Sequence, residues 1–253
     1  MKVSCICPTY NRPPDSQWLL EEAIESFLRQ DYAHKELLVL NDCPGQDLIC
    51  DAPNVFVINF PRRFRTLGEK LNAGIALAQG SITAPWNDDD IMLPWRISKS
   101  LEKLAEADYY NPVMYWFLDS SDLHKDHATG VGHNCSMFTL SAFDTVDGYP
   151  HTSGDEDLII DRRLKTHPDM KQASPSGLLA DEWFYIYRWG VSHVHLSSRI
   201  DPSSRQPHQE WYQQIGEMPV EHGQHLLRPH WKENYVRSTR NALGISSDPA
   251  CRT

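Results

Sequence analysis

Short apolar runs alternate with segments of helical periodicity through the first half of the chain. The predicted strands are residues 3–7, 37–40, 55–58 and 81–86. Predicted helices begin near Asp15 or Ser16, at Leu67 and at Pro94. Such alternation is typical of βαβ units, which place parallel strands side by side and cover the sheet with helices. The sequence therefore predicts an α/β fold with a mostly parallel sheet flanked by helices.

The second half of the chain continues this pattern and then loses it. Strands are predicted at residues 113–118, 135–140 and 184–187, and a helix is predicted to begin at Ser153. After residue 197, proline, histidine, glutamine and arginine are frequent, and no strand periodicity remains. We expect residues 200–253 to form a short carboxyl-terminal extension of helices and loops that packs on the core. With 253 residues, the chain is within the usual size of one core with a small appendage.

The charge balance and the apolar content exclude several classes of partner. The chain has 24 lysines and arginines against 34 aspartates and glutamates, a formal net charge of −10, which disfavours electrostatic capture of nucleic acid. No stretch reaches the roughly 20 apolar residues that a membrane-spanning helix needs. The apolar run near the start is too short for a secretory signal. We therefore expect a cytoplasmic protein without an integral membrane segment, and peripheral attachment to a membrane stays open.

Three consecutive carboxylates, Asp88, Asp89 and Asp90, directly follow the strand predicted at residues 81–86. The carboxyl ends of parallel strands are where α/β folds bind ligands. Adjacent carboxylates repel one another, and a hard divalent cation commonly offsets that repulsion, with a diphosphate filling its remaining coordination positions. The alternative is a solvated acidic turn in which Asp90 interacts with the dipole of the next helix. The triplet alone leaves both interpretations open.

Other polar segments are predicted at the same edge of the sheet. They are Pro8, Thr9, Tyr10, Asn11 and Arg12 after the first strand, Asn41 and Asp42 after the second, and Lys70 and Asn72 within residues 68–74. In order and spacing, these segments and the acidic triplet resemble the family 2 glycosyltransferases. Proteins of that family have the Rossmann-like GT-A fold and carry an Asp-x-Asp motif after the fourth strand. The resemblance covers about residues 1–195.

The resemblance implies a site for a nucleotide-sugar. In this family, the loop that matches residues 8–12 and the carboxylate that matches Asp42 hold the base and the ribose. Lys70 matches a basic residue that approaches the diphosphate, and Asn72 lies in the same segment. The triplet matches the metal motif, with Asp88 and Asp90 favoured as ligands of Mn²⁺ or Mg²⁺, and with Asp89 as the rival. The implied donor is a nucleoside-diphosphate sugar, a UDP-sugar being favoured, and Asp88 and Asp89 are expected to contact it.

A second group of carboxylates, Asp155, Glu156 and Asp157, begins the helix predicted from Ser153. Ser153 and Glu156 have the spacing of a Ser-x-x-Glu capping box, which gives Glu156 a structural explanation. Asp157 falls on the first turn, where the helix dipole keeps a carboxylate ionised and able to accept a proton. The family resemblance implies the same role, because the Glu-Asp motif of these enzymes supplies the base that acts on the acceptor. Glu156 and Asp157 are therefore the candidate catalytic residues.

Two further groups allow more than one interpretation. His193 and His195 follow the last predicted strand, where GT-A enzymes often bring a histidine back to the metal. Most of the 12 histidines, however, are expected on the surface or in the core. Arg62, Arg63 and Arg65 form the one concentrated run of positive charge. This run is either a solvated loop or a contact for the donor diphosphate or an anionic acceptor.

Together, these features predict a metal-dependent glycosyltransferase that inverts the anomeric centre of the donor sugar. Residues 1–199 would form the GT-A-like catalytic domain, with a nucleotide-sugar-binding half at 1–110 and an acceptor-binding half at 111–199. The acceptor would be a glycan or another molecule with a hydroxyl group. The alternative is a non-catalytic nucleotide-sugar-binding or glycan-binding protein, because Asn41 and Asn87 stand where many family members have aspartate.

Overall fold

The fold is given by a computed structural model that describes residues 1–120, 122–127, 133–191 and 208–245. Its strands are β1 (Val3–Thr9), β2 (Lys35–Asn41), β3 (Gln46–Ile49), β4 (Val55–Asn59), β5 (Ile82–Pro85), β6 (Ile91–Met92), β7 (Tyr109–Tyr110), β8 (Met114–Asp119), β9 (Asp122–His127), β10 (Met137–Thr139), β11 (Tyr185–Trp189) and β12 (Gly223–Leu226). Its α-helices are α1 (Gln17–Leu28), α2 (Leu67–Ala76), α3 (Arg96–Leu104), α4 (Leu140–Thr145), α5 (Glu156–Thr166), α6 (His208–Gly216) and α7 (Tyr235–Ala242). Among these described helices, none is long and apolar enough to span a membrane.

A six-stranded sheet forms the centre of the fold, with the strand order β4-β2-β1-β5-β10-β7. The first four strands in this order run parallel, and β10 runs antiparallel to both of its neighbours. The register aligns Thr9 at the end of β1 with Asn41 at the end of β2, and Asn41 with Asn59 at the end of β4. The predicted α/β fold with a mostly parallel sheet is therefore confirmed. The loops that follow these strands meet at one edge of the sheet.

Helices cover β1 on both faces, which explains why this strand is mostly apolar and is buried along most of its length. Cys5 and Cys7 are buried in one cluster with Ile24 of α1, and Ile6 is buried in another cluster with Leu71 of α2. The side chains of this strand therefore alternate between two apolar layers rather than between core and solvent. This packing fixes the point at which residues 8–12 leave the sheet.

A second sheet, with the order β6-β11-β8-β9, shares the core with the central sheet. β8 and β11 pair in parallel, and β9 folds back antiparallel on β8. Trp116 and Ile186, which are paired in register, lie in the same buried cluster as Val3. The sequence predicts β8 and β11 but not β9. The residues of β9 are mostly polar, and their strand conformation comes from pairing with β8.

The carboxyl-terminal segment contains a strand that the sequence does not predict. Besides α6 and α7, which agree with the expected mainly helical extension, this segment contains β12, which pairs in parallel with β3. Three of the four residues of β12 are exposed, so the strand has no buried apolar face of the kind that predicts a strand from sequence. Its position is set by backbone pairing with β3 rather than by a buried face.

Buried Glu22 of α1 ties the carboxyl-terminal segment and β11 to the core. Its Oε2 accepts a bond from Nη1 of Arg188 at 2.5 Å. Its Oε1 accepts bonds from the backbone N of Lys232 at 2.8 Å and from the hydroxyl of Tyr235 at 2.9 Å. Glu22 and Arg188 are 0% and 1% exposed. A carboxylate this buried persists only with such partners, so the network fixes residues 232–235 against α1.

Candidate active site

A cavity opens at the carboxyl ends of β1 and β5 and brings together most of the predicted site residues. Those that line it are Pro8, Thr9, Tyr10, Arg12, Lys70, Asp88, Asp89, Glu156 and Asp157. They come from the end of β1 and the loop after it, from α2, from the loop after β5 and from α5. Residues distant in sequence thus meet at the edge where α/β folds bind ligands. His193 and His195 lie outside the described residues.

Four predicted residues do not line the cavity; they are Asn11, Asp42, Asn72 and Asp90. Nδ2 of Asn11 donates a bond to the backbone O of Pro219 at 3.0 Å. Asn72 bonds the backbone of Tyr149 in both directions, each at 2.9 Å, with Nδ2 as donor to the O and Oδ1 as acceptor from the N. These two asparagines therefore hold neighbouring segments in place around the cavity.

Arg12 offsets part of the negative charge of the acidic triplet. Its Nε donates a bond to Oδ2 of Asp88 at 2.7 Å, and its Nη2 donates to Oδ1 of Asp88 at 2.5 Å and to Oδ2 of Asp89 at 2.9 Å. All three side chains are buried. The guanidinium meets Asp88 in the two-point geometry that arginine makes with carboxylates. One positive charge from the loop after β1 thus bridges the two aspartates that face the cavity.

Asp90 is turned toward the second sheet. Its Oδ2 accepts bonds from the hydroxyl of Tyr185 at 2.6 Å and from Nδ2 of Asn87 at 2.8 Å. Its Oδ1 accepts a bond from the backbone N of Arg188 at 2.9 Å. Because Tyr185 and Arg188 belong to β11, Asp90 connects the loop after β5 to that strand. The first two aspartates of the triplet face the cavity, whereas Asp90 supports its wall.

Lys70 and Asp42 form a buried ion pair behind the loop after β1. Nζ of Lys70 donates to Oδ1 of Asp42 at 2.6 Å and to the backbone O of Thr9 at 2.7 Å. Oδ2 of Asp42 accepts a bond from the backbone N of Phe64 at 3.0 Å. Asp42 is fully buried, while part of Lys70 lines the cavity. The predicted diphosphate contact and the predicted ribose contact are therefore bonded to each other in this structure.

The start of α5 differs from the predicted capping box. α5 begins at Glu156 with Asp155 as its N-cap, and no side-chain bond caps its first turn. The hydroxyl of Ser153 instead accepts a bond from the backbone N of Leu67 at 2.9 Å, at the start of α2. Oε2 of Glu156 accepts a bond from the backbone N of Gly154 at 2.5 Å. The predicted capping box is wrong, because the hydroxyl of Ser153 serves the neighbouring helix.

Burial gives the carboxyl group of Glu156 an unusual affinity for protons. Burial, and then the nearby charges of Asp157 and Asp155, raise the pKa of Glu156 to about 8, although bonds from backbone N–H groups act to lower it. Glu156 is buried, whereas Asp157 is partly exposed, and both line the cavity. Glu156 is therefore mostly protonated at neutral pH. Asp157 is the member of the pair that is suited to take a proton from a bound hydroxyl group.

Glu156 should make the stability of the protein fall as the pH rises. The folded chain holds a proton on Glu156 that the unfolded chain releases near pH 4.5, so this group lowers the free energy of unfolding between pH 4.5 and about 8. We expect Glu156→Gln to remove this part of the pH dependence and to be more stable than the wild type above pH 8. Urea unfolding below, within and above this range measures the effect. An identical pH dependence in both proteins would contradict it.

Several residues that line the cavity are not predicted from the sequence; they include His133, Asn134, Tyr149, Tyr187, Tyr212 and Ile215. Nε2 of His133 lies 2.8 Å from the hydroxyl of Tyr149, and its Nδ1 lies 3.2 Å from Oγ of Ser136. Burial lowers the pKa of His133 to about 4, so its ring is neutral at physiological pH. No motif marks these residues, and Tyr212 and Ile215 lie on α6, beyond the region of the resemblance.

A family of known proteins matches the region that supplies most of this cavity. The model described as glycosyl transferase family 2 matches residues 4–144, which is more than half of the chain. The chain therefore belongs to glycosyl transferase family 2. The resemblance predicted from the order and spacing of the sequence motifs is confirmed.

Two bacterial relatives match part of the chain. It is 31% identical over 114 residues to a GalNAc(5)-diNAcBac-PP-undecaprenol β-1,3-glucosyltransferase of Campylobacter jejuni. It is 34% identical over 106 residues to a putative colanic acid biosynthesis glycosyl transferase, WcaA, of Escherichia coli. These matches cover 42% and 38% of this chain and 35% of each relative. The chain thus matches about a third of the length of these curated relatives.

Solved structures share the fold. The 1–349 fragment of TarS from S. aureus superposes with a TM-score of 0.57 at 16% sequence identity, over 74% of this chain and 60% of that fragment. The mannosyltransferase PcManGT from Pyrobaculum calidifontis, solved with GDP-Man and Mn²⁺, gives a TM-score of 0.51 at 15% identity, over 74% of this chain and 56% of PcManGT. At these identities, the likeness establishes the fold, and the predicted GT-A-like architecture is confirmed.

Proposed function

We propose that the chain is a glycosyltransferase that uses a nucleoside-diphosphate sugar as donor and transfers the sugar to a hydroxyl group. The observation that carries the proposal is the meeting of two separate carboxylate groups in one cavity. Asp88 and Asp89 line it from the loop after β5, and Asp157 lines it from α5. Asp88 and Asp89 suit the binding of a cation that stabilises the charge of a diphosphate, and Asp157 suits removal of a proton. Membership of the family supports the same assignment.

The donor is proposed to occupy the part of the cavity formed by the loop after β1. Pro8 and Tyr10 give that part apolar and aromatic surface, which suits a nucleobase. The residues proposed to position the donor are Thr9, Arg12 and Lys70 on the wall, and Asn11, Asp42 and Asn72 behind it. TarS has been solved with UDP and with UDP-GlcNAc, and PcManGT with GDP-Man. These complexes support a nucleotide-sugar, and UDP is the first nucleotide to test, with GDP as the alternative.

The oxygen atoms that face the cavity suit a hard divalent cation. In the described ranges, no group of three or more histidine, cysteine, aspartate or glutamate side chains is arranged to hold a metal, so the ion would depend on other ligands as well. One or two carboxylates completed by substrate phosphates are typical of Mg²⁺ sites. We propose Asp88 and Asp89 as ligands, favoured over Asp90 because they line the cavity, whereas the oxygens of Asp90 are turned toward β11. The bound ion would neutralise charge on the departing diphosphate.

Asp157 is proposed to remove the proton of the acceptor hydroxyl as its oxygen attacks the anomeric carbon of the donor sugar. The bond from that carbon to the diphosphate oxygen breaks on the opposite face, and the configuration inverts. The diphosphate leaves with the electron pair of that bond, and the carboxylate of Asp157 holds the proton. Burial raises the pKa of Glu156 to about 8, so its carboxyl group is protonated at neutral pH. It therefore adds no second negative charge beside the carboxylate of Asp157.

The acceptor is proposed to enter beside α5. Asn134 and Tyr149 line the cavity and have an amide and a hydroxyl group that suit sugar hydroxyls, and His133 holds the hydroxyl of Tyr149 in place. The C. jejuni relative carries PP-undecaprenol in its name. We therefore propose a lipid-linked glycan as the first acceptor class to test, together with peripheral membrane contact of a cytoplasmic protein.

Calorimetric titration with UDP and GDP, with and without Mn²⁺, tests the donor site. We expect one nucleotide to bind more tightly with Mn²⁺, because a cation held by Asp88 and Asp89 would offset the negative charge of its phosphates. Asp88→Asn or Asp89→Asn should weaken the metal-dependent part of binding by roughly 10- to 100-fold. Asp169→Asn is the control, because the side chain of Asp169 is 84% exposed. Equal binding by all of these proteins, with no effect of Mn²⁺, would contradict the metal site.

Turnover decides between an enzyme and a binding protein. Release of nucleotide from a bound nucleotide-sugar, measured with a panel of glycan and lipid-linked acceptors, should be faster with one acceptor class than with water alone. Tight binding of the nucleotide-sugar without product formation across the panel would favour the non-catalytic alternative. Failure to bind any nucleotide would overturn the proposed function.

A further inference from the structure

Arg63 enters the cavity between two tyrosine rings. Its guanidinium carbon lies 4.2 Å from the ring centre of Tyr10 and 4.1 Å from that of Tyr212. All three residues line the cavity. They come from the loop after β4, the loop after β1 and α6. Cation–π contacts with both rings thus hold the guanidinium at the cavity wall.

The orientation of this guanidinium is also set by α6. Its Nη2 donates a bond to the backbone O of Tyr212 at 2.5 Å. A methyl group added at Gly216 would collide with Nη1, so the missing side chain at this position leaves room for the group. The family match ends at residue 144, and α6 spans His208–Gly216. This arrangement therefore does not follow from the matched region of the family.

Arg63 differs from Arg12 and Lys70, the other cations of the cavity wall, in its lack of an ion pair among the described residues. Arg12 and Lys70 each form ion pairs with buried aspartates. No ion pair joins Arg63 to a carboxylate in the part of the chain that the structure describes. Within the same ranges, Nε of Arg63 is buried and has no hydrogen-bond partner. An unsatisfied buried N–H group of this kind raises the free energy of the folded state.

We propose that Arg63 is the anion-binding residue of this cavity and that it binds phosphate oxygens of a substrate. The planar N–H fork of arginine matches the oxygens of a phosphate group, and the two tyrosines hold that fork in place. The inference rests on the proposed function and deepens it, because the donor carries a diphosphate and an acceptor can carry a phosphate of its own. The inference assigns this role to Arg63 alone among the three arginines of residues 62–65, because Arg62 and Arg65 are exposed.

The test is calorimetric titration of wild type and Arg63→Gln with three probes, namely inorganic pyrophosphate, UDP and uridine, at one fixed Mn²⁺ concentration. We expect Arg63→Gln to bind pyrophosphate and UDP roughly 10- to 100-fold more weakly, with uridine affinity unchanged, because charge-assisted bonds to phosphate are lost. Arg65→Gln is the matched control, because it removes the same charge from an exposed position two residues away. It should bind all three probes as the wild type does.

The outcomes separate the sources of the phosphate and separate this inference from the proposed function. Weaker binding of both pyrophosphate and UDP assigns Arg63 to the donor diphosphate. Weaker binding of pyrophosphate with unchanged UDP affinity assigns it to a phosphate of the acceptor. Unchanged affinity for both overturns the inference. If the wild type binds pyrophosphate but neither UDP nor GDP, the proposed function fails, and the pyrophosphate result for Arg63→Gln still decides the anion site.

Gly216→Ala tests the same site while keeping the charge. Alanine favours a helix more than glycine does, so α6 should persist, but the added methyl group displaces Nη1 of Arg63. We expect weaker binding of pyrophosphate together with a thermal unfolding midpoint at or above that of the wild type. Wild-type pyrophosphate binding in both Gly216→Ala and Arg63→Gln overturns the inference, whatever the stability of the variants.

Discussion

Asp157→Asn is expected to lower the rate of sugar transfer by about 10²- to 10⁴-fold and to leave nucleotide binding nearly unchanged. The amide has the shape of the carboxylate but cannot take up the proton of the acceptor hydroxyl. Oδ1 of Asp157 accepts a bond from the backbone N of Leu158 at 2.7 Å, and an amide oxygen can accept the same bond. The variant should therefore fold normally, and its effect should fall on kcat.

Asp155→Asn is the matched control for this variant. Asp155 is exposed, lies two positions before Asp157 and does not line the cavity. Nucleotide affinity by calorimetry and turnover by nucleotide release should be measured for both variants. A parallel loss of binding and turnover in Asp157→Asn would show that Asp157 holds the donor. Transfer at the wild-type rate would exclude it as the base.

Glu22→Gln is expected to lower the free energy of unfolding by about 3 to 5 kcal/mol. The substitution leaves the guanidinium of Arg188 buried without its counter-charge. It also weakens the acceptor that Lys232 and Tyr235 share. Nη2 of Arg188 is already buried without a hydrogen-bond partner among the described residues, so few groups are at hand to replace the carboxylate.

Glu25→Gln is the control on the same helix. Glu25 pairs with Arg29, whose side chain is 49% exposed. Because exposed ion pairs contribute about 0 to 1 kcal/mol, Glu25→Gln should change the free energy of unfolding by less than about 1 kcal/mol. Urea unfolding followed by tryptophan fluorescence gives both values. If Glu22→Gln is as mild as its control, the buried network does not hold the carboxyl-terminal segment as described.

The parallel strands could be predicted because most of their residues are apolar, and in β1 and β2 burial on both faces favours such sequences. β1, β2 and β4 lie within two residues of the predicted runs at 3–7, 37–40 and 55–58. β9 and β12 could not be predicted in this way. Their side chains are mostly polar or exposed, and their conformation comes from backbone bonds to β8 and β3. Whether such a segment forms a strand depends on its partner strand rather than on its own sequence.

The part of the candidate site formed by residues that directly follow the strands could be predicted from the sequence. Residues that follow β1 and β5 had to meet at one edge, and Asp88, Asp89 and Asp157 line the same cavity. Which of the three aspartates face the cavity was not predictable, because the three residues are chemically identical. Only the position of β11 decides that the oxygens of Asp90 turn away from the cavity. Tyr212 could not be foreseen either, since it comes from a helix far along the chain.

The bonds to Glu22 join parts of the chain that are synthesised at very different times. Tyr235 follows Glu22 by 213 positions, so α1 and the central sheet leave the ribosome long before this partner exists. Domains generally fold from the amino-terminal side during synthesis, which proceeds at about 5–20 residues per second. Until residues 232–235 emerge, Arg188 can pair with the charge of Glu22, but Oε1 of the buried carboxylate lacks both of its described donors. Synthesis of residues 232–235 is thus the step that completes the described bonds to Glu22.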